Sequence, residues 1–378
     1  IADAFLKGIR NYDENKALEA MKYSATRDKL GLDSYKNLGF IPVEKESESV
    51  SKTLEYAYDD WSIAKMAKAM GEQEDYETFL ERAQNYKNVF DPSSKFMRGR
   101  FRNKWFAPFD PYEVNFNYTE ANSWQYSFFV PHDMKGLINL HGGEQLFQEK
   151  LDELFTVNST LEGRNQADIT GLIGQYAHGN EPSHYMAYLY NMAGNPKKSQ
   201  KMVNNILNQM YSTQPTGIIG NEDCGQMSAW YILSSMGLFD VNPGDPYYII
   251  QTPLFKDITI NLENGNNFRI VTNTNDSEFI YIKSVILNGE KLNRNYLHIS
   301  EIMNGGIMLI NKTKNYNDKW KCDEFYNTEI NENLHILKIP RIIANSKTFK
   351  DSIEIKIEGK NDEKLFYKKS SDLDFKQY

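Results

Sequence analysis

The 378 residues contain two cysteines, Cys224 and Cys322. Two thiols cannot build a disulfide framework, so cysteine usage leaves the redox compartment open. No run of about 18 apolar residues occurs, which argues against a helical membrane span. Long Lys/Arg blocks are absent, and 51 acids against 43 bases give a net charge of −8, a poor match to a nucleic-acid partner. His178 and His184 stand six residues apart, not at the i, i+4 spacing of a helical zinc pair. Gly163, Gly171 and Gly174 lack the strand that a phosphate-binding loop needs. Cys224 has no His or Asn framework around it, which argues against a thiol nucleophile. The chain opens Ile1-Ala2-Asp3-Ala4-Phe5-Leu6, with neither an initiator Met nor a basic, apolar leader. We read this as a cut edge inside a larger protein, with any export signal upstream.

The hydrophobic share of 40% and charged share of 25% are ordinary for globular domains, and the length suggests two or three units. Aromatics reach 13%, led by 24 Tyr and 21 Phe. Such rings suit a large core, and they equally suit stacking on the apolar faces of sugars. Helical periodicity recurs over 13–25, 51–70, 73–90, 121–130, 143–155, 183–193, 196–210 and 225–236. Gly71 stops the second of these, and Asn195-Pro196 punctuates another pair. Near Pro243-Gly244-Asp245-Pro246 the pattern changes to strands. Ile258–Leu262 alternates, Glu263-Asn264-Gly265 turns, Phe268–Val271 follows, and Ile280–Leu287 runs into the hairpin signal Asn288-Gly289. The expected fold is mainly α with β: an (α/α)₆ toroid, partial at its N-terminal side, followed by a β-sandwich-like layer and a small β appendage. The expected bounds are 1–243 for the toroid, 244–313 for the β layer, 314–333 for a polar linker and 334–378 for the appendage, where Ile353–Ile357 alternates.

Three segments carry the chemistry. They are Tyr118-Thr119-Glu120-Ala121-Asn122-Ser123-Trp124-Gln125-Tyr126, then Gln175-Tyr176-Ala177-His178-Gly179-Asn180-Glu181-Pro182-Ser183-His184, then Gly220-Asn221-Glu222-Asp223-Cys224-Gly225-Gln226-Met227-Ser228-Ala229-Trp230-Tyr231. Each sets an acid before an expected helix, where unpaired N–H groups and the helix dipole favour an ionised carboxylate. Asp223 there suits a general base. Glu181 and Asn180 offer hard oxygens of the kind calcium takes. Glu120, among Tyr118, Trp124 and Tyr126, is expected to hold its proton as a general acid does. The competing reading is that all three acids are helix N-caps, although Glu caps less well than Asp. Asp59 and Asp60 beside Trp61 face either the ring centre or the core.

These segments, with Tyr56-Ala57-Tyr58-Asp59-Asp60-Trp61 as a fourth, resemble the hallmark motifs of glycoside hydrolase family 92, in the same order. The resemblance covers about residues 1–310. It implies an exo-acting, calcium-dependent α-mannosidase that inverts the anomeric centre, with an N-terminal β-sandwich ahead of an (α/α)₆ domain. Carried over, Glu120 is the general acid and Asp223 the main general base, assisted by Glu222 or Asn221; the alternative gives the acid role to Glu181. Gln175, Asn180 and Glu181 fall in the calcium neighbourhood, and Trp124, Gln125, His178 and Asp60 among the substrate contacts. An upstream Trp-Asp-Thr type motif, the sandwich and the first ring helices are absent, and residues 334–378 loosely resemble a small β module of some hexosaminidases and mannosidases. The implied partner is a mannose-containing glycan, α-1,2-linked being the family's commonest choice, which places the protein in the periplasm, at the surface or outside the cell. Two competing hypotheses are another toroidal enzyme, such as a trehalase-like hydrolase or phosphorylase, and a non-catalytic carbohydrate-binding fragment.

Overall fold

The computed structural model describes residues 1–317, 320, 322–330, 339–346, 348–359 and 364–378. Helices dominate as far as Met236, and strands follow. Helix α1 is Ala2–Leu6, α2 Glu14–Thr26, α3 Leu32–Leu38 and α4 Ser49–Met70. Helix α5, Gln73–Arg82, folds back along α4. The Asp13 side chain accepts the Lys16 N–H at 3.0 Å to start α2. Gly71, at φ 86°, takes the left-handed conformation that ends α4 and returns its N–H to Ala67 and Lys68. Leu54, Ala57, Trp61, Ala64 and Ala67 are buried along that helix, as their three- and four-residue steps predict.

Three expected helices are shorter. That over 73–90 stops at Arg82, ahead of a 3₁₀ turn at Asn85–Asn88. Only Ser123–Tyr126 (α6) is helical within 121–130. Val130 precedes Pro131, and a residue before proline is pushed out of the helical region; its φ is −141°. Within 183–193 the chain makes short 3₁₀ turns. Ser183, His184 and Tyr188 each donate to the residue three back, before a final helical turn at Leu189–Met192. Every side chain from Ser183 to Ala193 is buried, so packing on all sides sets that path, not a one-faced helical stripe. Helix α7 (Met134–His141) packs on α8 (Glu144–Thr156), and α10 (Pro196–Gln209) on α11 (Gln226–Met236), counting Leu189–Met192 as α9.

Strand β1 is Leu238–Phe239, β2 Tyr247–Ile250, β3 Asp257–Asn261, β4 Asn267–Thr272, β5 Tyr281–Leu287, β6 Glu290–Leu292, β7 Tyr296–His298 and β8 Gly306–Thr313. One antiparallel sheet has the order β7-β2-β1, and a five-stranded sheet the order β3-β4-β8-β5-β6, with β4 and β8 parallel. The sequence reading missed β8, the central strand. Leu238, Ile250 and Leu297 of the first sheet share a core with Phe268, Ile270, Ile282, Val285, Met308 and Ile310 of the second. In the appendage, the ladder joins Arg341–Ile343 to Lys356–Glu358, so Ile353 and Ile355 of the alternating run lie outside it.

Part of the expected linker is fastened down. Residues 331–333 and 318, 319 and 321 fall outside the described residues. Between them, Thr328 Oγ1 donates to the Pro131 carbonyl at 2.7 Å and accepts the Met134 N–H at 2.9 Å. The Lys135 N–H donates to the Thr328 carbonyl, the Ile330 N–H to Asp133, and Asn295 of the β region accepts the Tyr326 N–H. Thr328→Val keeps the shape but strands a buried donor and a buried acceptor. Urea unfolding should show a loss of about 2 kcal/mol; a loss below about 0.5 kcal/mol would mean water or neighbours replace both bonds.

Candidate active site

The loop that enters α6 holds Glu120 at φ 49°, a left-handed conformation uncommon outside glycine. Asp223 and Cys224 sit at φ 53° and 56° before α11. Strained backbone at such residues costs about 1–3 kcal/mol each and gathers at functional sites. No periodicity or composition signal announces it.

Four segments meet near Glu120. Glu48 precedes α4, Asp168 lies in the 163–181 loop, Glu181 opens a 3₁₀ turn and Asp223 precedes α11. The Glu120 carboxyl is pushed above the ordinary range by partial burial, then by the negative charges of Asp168, Glu181, Glu48 and Asp223. The aromatic shell expected to do this is elsewhere. Tyr118 donates to the Met97 carbonyl, Tyr126 to Glu55, and Trp124 is 3% exposed against Phe96 and Tyr112.

The segments are also bonded together. Asn180 Nδ2 donates to the Glu120 carbonyl at 3.0 Å, and Asn221 Nδ2 to Asp168 Oδ1 at 3.1 Å. Gly220, at φ 74°, lies so close that a Cβ there would stand 2.9 Å from Thr170 Oγ1 and 3.3 Å from Gly179 Cα. Glu120, Glu181, Asn221, Glu222 and Asp223 are exposed at this rim, and Asn180 is buried beneath it.

Several expected site residues lie elsewhere or are already engaged. Glu222 accepts the N–H groups of Gly225 at 2.5 Å and Ser228 at 3.2 Å, so its carboxylate is spent on the first turn of α11; the Ser228 side chain, then these N–H groups, hold the carboxyl below the usual range. Trp124 is a core ring and offers no face to a sugar. Gln125 is buried, closes the α6 capping box with Asn122 and donates to the Gln175 carbonyl. His178 is 0% exposed, bonded by Tyr176 and Tyr211 through its two nitrogens and set edge-on to Trp230. Burial pulls its pKa down to about 3 and that of His184 to about 4, so both rings stay neutral. Asp60, 1% exposed, accepts from Tyr35 and Arg82 at 2.9 Å each, which places it at the α4–α5 contact. Asp60 and the exposed Asp59 are among the residues lining a cavity of about 570 Å³ next to α1 and α2. Gln175 Oε1 accepts from Asn122, and its Nε2 donates to the Asn158 and Thr160 carbonyls, so the side chain is spent in the interior. Among the described residues, no three His, Cys, Asp or Glu side chains gather as a metal site. Asp168 is the residue the sequence reading missed, for it lies in a polar loop with no helix start to mark it.

Residues 1–312 match the family described as the glycosyl hydrolase family 92 catalytic domain. The family GH92 α-mannosidase BT3965 of Bacteroides thetaiotaomicron is 40% identical with a TM-score of 0.80, over 85% of this chain and 42% of that one. It has also been solved in complex with mannoimidazole. The inverting mannosidase BT2199 of the same organism is 34% identical with a TM-score of 0.79, over 87% and 47%. An uncharacterized secreted glycosidase of Arthroderma benhamiae is 30% identical over 82% of this chain and 43% of its own length. The chain thus spans less than half the length of each relative.

Proposed function

Since the chain belongs to glycosyl hydrolase family 92, we propose that it carries the acid–base machinery of an inverting α-mannosidase acting on terminal α-linked mannose of glycans, N-glycans among them. The observation that carries this reading is the gathering of Asp168, Glu181 and Asp223 around Glu120 at one rim, where partial burial and then those negative charges raise the proton affinity of the Glu120 carboxyl. Glu120 would donate its proton to the departing glycosidic oxygen. Asp223 would take a proton from the attacking water on the opposite face of the sugar. An inverting pair leaves room for that water, with carboxyl groups about 6.5–9.5 Å apart. Asn221 and Glu222 would serve Asp223 by shaping its loop.

Calcium belongs to the proposal. Its hard-oxygen chemistry fits the carboxylates gathered around Glu120, and the Glu181 carboxylate and Asn180 amide oxygen are the side chains that would hold it. Gln175 is not among them. When bound, calcium would supply a fixed positive charge for sugar hydroxyls. With few side-chain donors in place, carbonyls and the sugar would complete its shell.

We read the helical hairpins of residues 1–243 as part of an (α/α)₆ toroid, and residues 244–313 and 334–378 as a β layer and appendage. The rest of the toroid and an N-terminal β-sandwich would come from upstream sequence. The substrate class and the secreted relative favour a periplasmic, surface or extracellular location. The length of the relatives favours one second reading, a chain that binds sugar without turning it over.

The test follows α-1,2-mannobiose by NMR, using this chain and the full-length protein, with calcium and then with chelator. Initial release of β-mannose that stops on chelation is expected. Initial α-mannose would overturn inversion, unaffected turnover in chelator would overturn the calcium role, and no turnover of any mannobiose linkage by either protein would leave the binding reading.

A further inference from the structure

We propose that Asp168 is the positioning residue of this site: its carboxylate holds the Asn221 amide and so fixes the loop bearing Asp223 against the loop that holds Glu120. The inference rests on the acid–base reading above and assigns a residue that the motifs do not contain.

The bonds form a continuous path. On one side, Asn180 donates to the Glu120 carbonyl at 3.0 Å. Asn180 belongs to the same loop as Asp168, and that loop is closed on itself: the Gly179 N–H donates to the Thr170 carbonyl at 3.1 Å and the Thr170 N–H to the Asp168 carbonyl at 2.9 Å. On the other side, Asp168 Oδ1 accepts from Asn221 at 3.1 Å, while Oδ2 accepts from Gln166 Nε2 at 3.2 Å. Gly220 rests against Thr170 and Gly179, a contact that leaves no room for a side chain. The 220–225 segment is otherwise exposed and holds two consecutive strained residues, Asp223 and Cys224. An exposed, strained loop keeps one conformation only where neighbours fix it. Asp168 supplies the side-chain bond that does so on the Glu120 side.

The full-length protein is compared with Asp168→Ala, Asp168→Asn, Asn221→Ala and the double variant Asp168→Ala/Asn221→Ala. Two readouts are taken: hydrogen–deuterium exchange of the 219–226 segment, and kcat and KM on an α-mannoside. Asp168→Ala should raise exchange in that segment about tenfold and lower kcat about 30- to 100-fold with KM within twofold, since about 1 Å of misplacement costs that much. In Asp168→Asn the amide oxygen still accepts from Asn221, so exchange should stay near wild type and kcat within about fivefold. Asn221→Ala should match Asp168→Ala, and the double variant should cost no more than either single change, as coupled partners do. Unchanged exchange in Asp168→Ala overturns the proposal, whether or not the enzyme turns over. So does an Asp168→Asn variant as damaged as Asp168→Ala, or a double variant whose losses multiply. Failure of the acid–base reading shows separately, as wild-type protein without turnover or Glu120→Gln with full turnover.

Discussion

Replacing Glu120 with Gln should slow hydrolysis of α-mannobiose about 10³-fold while leaving a 2,4-dinitrophenyl α-mannoside almost unaffected. A sugar leaving group departs as a poor alkoxide unless it is protonated, and general-acid assistance is worth about 10²–10⁴-fold. A dinitrophenolate leaves without that proton. Gln keeps the size of the side chain and removes the proton donor, so the two substrates separate loss of acid chemistry from loss of shape. The Asn180 bond to the Glu120 backbone does not depend on the side chain, so the loop should hold. Asp223→Asn provides the contrast. It removes the base that activates water, a step common to both substrates, and should slow both alike. Rates on the two substrates with both variants decide the roles. Equal losses for Glu120→Gln would remove Glu120 from the acid role, and a leaving-group-dependent loss in Glu181→Gln instead would move that role to Glu181.

What could be seen in the sequence follows from where its signals are local. A long amphipathic helix such as α4 declares itself through buried Leu54, Ala57, Trp61 and Ala64 and through the glycine that ends it. The hairpin at Asn288-Gly289 is set by backbone preference, with Asn288 at φ 50°. The central strand β8 shows no alternation, because beyond Gly306 its side chains are covered on both faces and Ile307–Ile310 forms a continuous apolar run. The motifs fall on loops that come together at one rim, yet within each motif most residues build the loop and few face the rim. Trp124, Gln125, Gln175 and His178 hold the scaffold, and Glu222 is spent on the first turn of α11. Sequence spacing does not say which way a side chain points, and burial decides it. The cause of the raised Glu120 proton affinity was out of reach for the same reason. It comes from partial burial and then from carboxylates of other segments, joined by Asn180–Glu120 and Asn221–Asp168 bonds between residues 60 and 53 positions apart.

Arg82→Met should destabilise the fold by about 3–4 kcal/mol at pH 8 and by clearly less at pH 5. Arg82 Nε donates to Asp60 at 2.9 Å, and its Nη2 reaches the Ala25 carbonyl at 2.9 Å, so one side chain ties α5 to α4 and α2. Removing one partner of a buried ion pair leaves the other charge uncompensated, at a cost of about 3–5 kcal/mol. The guanidinium also lies over the Tyr35 and Phe79 rings, 5.5 and 4.9 Å from their centroids, so Met keeps an apolar stem of similar length and the loss reports the guanidinium, ring contacts included. The pH dependence comes from Asp60. Burial outweighs the help of Arg82 and of the Tyr35 hydroxyl, and raises its pKa from 3.8 to about 7. A carboxyl raised in the folded state contributes stability that is fully present below pH 3.8 and is lost as the pH climbs through about 7. Arg82 opposes that rise, so its removal drives the folded pKa higher still. At pH 5 the variant then holds Asp60 neutral, bonded to Tyr35, and little charge is left unpaired. At pH 8 it must either ionise a buried carboxyl or hold a proton that the unfolded chain releases. Urea unfolding at the two pH values measures the difference. A loss of the same size at both would mean that Asp60 does not titrate in the folded protein and that the guanidinium acts through Ala25 and packing alone.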